Sequence, residues 1–98
     1  MKIKSVLIEI NDADPNFVCK ANVPVFKNHD SRNKLGTACV YWDENLYADF
    51  ELIKDCNGLY PSIGFTVLSE NDGKKHIEIM QVGLCDNKNE DERIAAIH

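Results

Sequence analysis

Residues 46–68 read LYADFELIKDCNGLYPSIGFTVL, two apolar-rich runs that meet at Asn57-Gly58. An Asn-Gly pair between alternating runs is a strong hairpin signal, because a two-residue type I′ turn needs positive φ at both positions. Read that way, Leu52 faces Ile63, Phe50 faces Phe65 and Ala48 faces Val67, all apolar pairs on one side. Glu51 and Asp49 then fall opposite Gly64 and Thr66 on the other side. A slip of one residue would exchange the faces of one strand and lose this agreement. The expectation is a single hairpin with Phe50 and Phe65 both turned inward.

The same test extends to the neighbouring segments. A three-residue loop at Asp43-Glu44-Asn45 pairs Trp42 with Leu46, Val40 with Ala48 and Ala38 with Phe50. A two-residue loop would instead set Val40 against Asp49, so the longer loop is preferred. Asn45 is the residue expected to take the left-handed conformation there. Downstream, SENDG (69–73) joins strands in which Phe65 meets Ile77 and Ile63 meets Ile79. Upstream, Val6, Ile8 and Ile10 share one face of a first strand. Phe17, Cys19, Ala21, Val23 and Val25 share one face of a second. Pro24 has no N–H to donate, which puts that second strand at an edge or makes it end there. The polar KNHDSRNK (27–34) reads as a loop.

One face of such a sheet is strongly apolar and must be covered. The candidate cover is KNEDERIAAIH (88–98). Asn87 or Asn89 would cap a helix with Glu90, Asp91 and Glu92 in its first turn, at the positive end of the dipole. Ile94, Ala95 and Ile97 would dock. So short a helix cannot blanket six strands, so a second subunit or a sheet coiling onto itself is expected as well. The fold class expected is α+β: one domain over 1–98, a coiled antiparallel meander of five to six strands with a short C-terminal helix.

Composition narrows the function classes. The 98 residues carry 11 Lys and Arg against 16 Asp and Glu, a formal net charge of −5. That balance opposes a strong sequence-independent grip on nucleic acid and fits a basic partner. No apolar run reaches the roughly 20 residues a membrane helix needs, and MKIKSVLIEI lacks a signal-peptide pattern, so a cytoplasmic protein without membrane attachment is expected. Cys19, Cys39, Cys56 and Cys85 form no close pair, and His29, His76 and His98 add no zinc spacing. Free thiols are expected, with Cys19 and one strand-centre neighbour as small buried hydrophobes. No metal or cofactor site is expected.

The carboxylates of Asp43, Glu44, Asp49 and Glu51 lie in a turn or on a solvated strand face, where nothing splits their pKa values for acid–base work. His76 and Glu78 alternate with Ile77 and Ile79 and point outward. There is no Gly-rich phosphate loop, no GxSxG and no cysteine beside a histidine, so an enzyme is not expected. The outer face is more suggestive. Register places Tyr41 beside Tyr47, with Tyr60 and Ile53 on the same side. Such rings stack nucleic-acid bases, stiffen a sheet as cross-strand pairs, or bury in a dimer interface. The cations Arg32, Lys34, Lys74 and Lys75, with Lys27, lie in loops that two copies would bring together as a basic rim.

The opening MKIKSV, the segment ACVYWDENLYADFELIKDCNGLYPSI and the closing strand with its polar helix start resemble the SpoVG family of small bacterial proteins. The matching positions are Asp49, Phe50, Leu52, Ile53, Asn57, Gly58, Leu59 and Tyr60, followed by Ser62 and Ile63. The resemblance covers about half the chain. It implies a dimeric α+β regulator binding DNA or RNA; for such a role the loop cations Arg32, Lys34, Lys74 and Lys75 are expected on phosphate and the rings of Tyr41, Tyr47 and Tyr60 on bases. The chain departs from the pattern where the family carries a basic turn: no Lys or Arg follows Ile63 until Lys74. Residues 16–35 also have no counterpart. The alternative from another class is an acidic interaction or inhibitor module, of phage or mobile-element type, that presents the same aromatic face to a basic protein.

Overall fold

A computed structural model describes residues 1–9 and 15–98. Among them are seven strands: β1 (Lys2–Glu9), β2 (Val18–Cys19), β3 (Val23–Lys27), β4 (Lys34–Asp43), β5 (Asn45–Leu52), β6 (Tyr60–Asn71) and β7 (Lys74–Cys85). They form one mixed sheet in which β1, β5, β4, β3 and β7 are successive neighbours. β6 runs antiparallel along the whole of β7, so β2 and β3 share the other edge of β7, both parallel to it. The outermost strands, β1 and β6, come close to each other with no ladder between them among the described residues. The sheet thus coils onto itself and encloses the core within one chain.

The expected fold class is corrected on two counts. The sheet is not a meander, and no helix is present among the described residues. Residues 88–97 turn instead of winding. Asp91 N–H donates to Asn89 Oδ1 at 3.0 Å, and Arg93 N–H to Asp91 Oδ1 at 3.0 Å. These side-chain turns satisfy the N–H groups that a helix would have left open, in a segment too short to be helical on its own. Ile94 and Ile97 do dock, at 2% and 3% exposure. Ile97 N–H donates to Leu59 C=O at 2.9 Å, and Gly58 N–H donates to Ile97 C=O at 2.8 Å. The C-terminal segment thus plugs one end of the coiled sheet.

The 46–68 hairpin is corrected too. β5 already has β4 on one edge and β1 on the other, which leaves no edge for β6. The Cys56–Leu59 turn closes through Leu59 N–H to Cys56 C=O at 3.2 Å, yet only Gly58 has positive φ (87°). Positive φ at the second central position alone fits a type II turn, which splays strands. The type I′ hairpin lies at Asp72 (φ 53°) and Gly73 (φ 76°), where Asn71 pairs with Lys74. Two bulges follow, so Phe65 meets Ile79 and Ile63 meets Val82, not the pairs expected from SENDG. Phe50 is buried, but Phe65 is 47% exposed.

The β4–β5 hairpin has the expected register, with Trp42 opposite Leu46, Val40 opposite Ala48 and Ala38 opposite Phe50. Glu44, not Asn45, takes the left-handed conformation at its tip (φ 62°). The strand expected over 17–25 is broken at exposed Ala21 and Asn22. Pro24 sits inside the sheet and is tolerated because the β7 ladder begins only at Val25. Ile8 is fully buried, and Ile10 lies outside the described residues. All four thiols are free, and the buried one is Cys56, with Cys19 partly covered. No helix among the described residues is long and apolar enough to cross a membrane.

Glu9 is partly buried at the end of β1. Burial first, and then the nearby Asp91, push its carboxyl above the ordinary value. A raised carboxylate binds its proton more tightly in the folded chain, so stability falls as pH rises from the ordinary carboxylate value through the raised one. Glu9→Gln is therefore expected to raise the urea midpoint at pH 7 and to flatten its change between pH 4.5 and 7. A variant whose midpoint falls at pH 7 would show that the charge is stabilising.

Candidate functional site

Three surfaces carry side chains beyond the needs of packing. On the outer face of β4 and β5, Tyr41 and Tyr47 are cross-strand partners whose rings stack at 5.8 Å between centroids and 21° between planes. Tyr41 Oη donates to Ser5 Oγ at 2.9 Å, and Ser5 N–H donates to Asp49 Oδ1 at 2.8 Å. Ser5 has φ 58° at a shift in the β1–β5 register, which places its N–H in reach of Asp49. The rings are thus engaged with one another and with β1, beside a carboxylate.

The remaining expected binding residues are dispersed. Tyr60 starts β6, opposite Cys85 on β7. Arg32 is held by Asp30 through Nε at 3.1 Å and Nη2 at 3.2 Å, which also keeps the Asp30 carboxyl below its usual range. Lys34 opens β4, seven residues and some 23 Å of strand from Tyr41. Lys74 and Lys75 lie at the tip of the β6–β7 hairpin, opposite Asn71 and Glu70. One chain therefore joins Tyr41 to Tyr47 and does not gather the seven residues on one face.

The second surface is the outer half of the β6–β7 hairpin. Phe65, Val67 and Leu68 are 47%, 46% and 49% exposed, and Met80 on β7 is 50% exposed. Leu68 and Met80 are the extra residues of the two bulges. From Tyr60 to Ser69 β6 bears no charge, and its only ladder among the described residues is with β7. Edge strands usually carry charges or prolines that prevent pairing with another chain; past Pro61 this one has neither until Glu70.

The third surface is polar and lies at the base of the same hairpin. Tyr60, Ser62 and Gly64 on β6 face the same side as Cys85, Gly83 and Gln81 on β7. The turn after β3 places His29 above them: a Cβ on Gly83 would lie 2.6 Å from His29 Nε2. Likewise a Cβ on Gly64 would lie 2.6 Å from Gln81 Cγ. His29 Nδ1 is 3.2 Å from Gln81 Oε1, and Nε2 is 3.3 Å from Ser62 Oγ. A carbonyl oxygen only accepts, so Nδ1–H donates to Gln81 and Nε2 is left to accept from the Ser62 hydroxyl. Asn28 secures the turn, donating from Nδ2 to Asp86 Oδ2 and accepting from Asp86 N–H, both at 3.0 Å. Tyr60, Ser62 and Cys85 continue into a cleft of about 340 Å³, walled on the far side by residues 87–90.

No family model, curated protein or solved structure matches this chain. The resemblance to the SpoVG family therefore rests on the residues quoted for it alone. Sequence reasoning missed His29, Ser62 and Gln81 as a group, because they come from three distant segments. The signal that could have found them is the pair of glycines, Gly64 and Gly83, inside strands that otherwise favour side chains.

Proposed function

We propose that the protein is an interaction module that adds an extended strand of a basic protein partner to the free edge of β6. The observation that carries this reading is the uncharged, exposed stretch from Phe65 to Ser69 on an edge strand. Main-chain hydrogen bonds would supply affinity, and Phe65, Val67 and Leu68 would supply apolar contacts. The formal net charge of −5 favours a partner rich in Lys or Arg, while at the hairpin tip itself Glu70 and Asp72 are balanced by Lys74 and Lys75. Nucleic-acid binding by a homodimer has less support, since the cations are few, dispersed and set among carboxylates.

The test is an NMR titration with a ten-residue peptide alternating valine and lysine, beside its valine–glutamate counterpart. The lysine peptide is expected to shift and protect amides of residues 65–70, and the glutamate peptide to leave them unchanged. Val67→Lys should remove the effect while altering stability by no more than about 0.5 kcal/mol, as surface substitutions do. Protection that appears with neither peptide, or salt-dependent binding of mixed oligonucleotides in its place, would refute the reading.

A further inference from the structure

The turn after β3 uses two consecutive left-handed residues, Asn28 (φ 51°) and His29 (φ 58°), neither of them glycine. That conformation is uncommon for residues with a Cβ, and glycines inside strands weaken a sheet. Here Gly83 and Gly64 leave room for the His29 ring and the Gln81 chain. Covered ring nitrogens are ordinarily paired, so what matters is which groups they meet. His29 engages both ring nitrogens, and Nε2 meets a hydroxyl in the wall of a cleft.

We propose that Ser62 is a nucleophilic serine with His29 as its general base and Gln81 as the residue that orients the imidazole. The arrangement contains the required parts: a hydroxyl within reach of a base, and a third group that fixes the base's tautomer. The cleft behind the hydroxyl is at the small end of ligand sites and suits a small activated acyl ester or thioester. Cys85 lines the same cleft, but burial and then Asp86 push its thiol up, which keeps it protonated and unreactive.

The reaction balances without a further reagent. Ser62 Oγ bonds to the acyl carbon while its proton passes to His29 Nε2 and the carbonyl electron pair moves to oxygen. As that pair returns, the bond to the alcohol or thiol breaks, and the leaving group takes the proton from His29. Water then attacks the acyl-serine by the same route, releasing a carboxylic acid and restoring Ser62. The facing wall holds Asn87, Lys88 and Asn89, whose side chains carry the kind of donor that charge on the carbonyl oxygen would need, together with the Glu90 carboxylate. Gln81 is neutral, so it holds the tautomer but gives little help to the imidazolium. Turnover is therefore expected to be slow, and trapping is the better readout.

The test uses the full chain and a fluorophosphonate probe, with the labelled peptide located by mass spectrometry. One label per chain is expected, on Ser62, and Ser62→Ala should abolish it. His29→Asn keeps a residue that tolerates the left-handed turn, and it should slow labelling about 100-fold or more, the ordinary contribution of a general base. Gln81→Leu should slow it as well, while Gln81→Glu should retain or raise the rate by steadying the imidazolium. If His29→Asn does not fold, the two Gln81 variants carry the test through their opposite effects. An unlabelled native chain, a label at another residue, or native-rate labelling of either His29→Asn or Gln81→Leu would overturn the assignment.

Discussion

Gly36→Ala is expected to be among the most destabilising single substitutions in this chain, costing about 3–5 kcal/mol. Gly36 is buried inside β4, pairs with Leu52 of β5 and Val25 of β3, and has φ 152°. A Cβ there would fall on the Glu51 carbonyl oxygen and lie 2.9 Å from Leu52 Cα. Both obstacles are backbone, so no side chain can swing away and the strands must separate. Overpacking costs about 1–3 kcal/mol or more, and a forced conformation adds about 1–3. At about 4–8 °C per kcal/mol, Tm should fall by at least ~12 °C. Gly58→Ala is the control, since it has positive φ but no atom within 4 Å of the new Cβ. It should cost only about 1–2 kcal/mol, the left-handed term alone. Equal losses in urea melts of the two variants would show that steric closure around Gly36 is not what matters.

Removing residues 94–98 should leave the chain largely unfolded at 25 °C. The deletion takes away two fully covered isoleucines and the backbone bonds that tie Ile97 to Gly58 and Leu59. A buried Ile→Ala change costs about 2–5 kcal/mol, so losing both side chains approaches the roughly 5–15 kcal/mol that stabilises a domain of this size. The double variant Ile94→Val, Ile97→Val keeps the shape and should cost only about 1–3 kcal/mol. Far-ultraviolet circular dichroism and urea melts separate the outcomes. A truncated chain that melts with the full one would mean that the coiled sheet is closed without its plug.

What could be read from the sequence follows from how local each decision is. The β4–β5 register was legible residue by residue, because a short loop and two alternating strands settle it between themselves. That register also placed Tyr41 against Tyr47. The Asn57-Gly58 signal misled because hairpin pairing is a competition for edges. β5 gives its second edge to β1, some 40 residues earlier in the chain, and no local pattern records that. Asp72-Gly73 carried the better turn signal, but its register was obscured by bulges at Leu68 and Met80. The C-terminal isoleucines were rightly placed in the core, while their backbone followed the side-chain turns of Asn89 and Asp91. The His29, Ser62 and Gln81 group depends on β3, β6 and β7 meeting, which is a property of the whole topology.

The parallel ladder between β3 and β7 also sets an order of events during synthesis. Val25 cannot find its partner until Val82 has been made, and Ile8 and Phe50 have no closed interior until Ile97 arrives. Distant pairings of this kind fold slowly, in milliseconds to seconds. Residues 1–97 must therefore leave the ribosome before the interior can seal. During that interval the uncharged length of β6 has β7 along one flank and an unsealed sheet on the other, so this stretch is most prone to misassociate before Ile97 emerges.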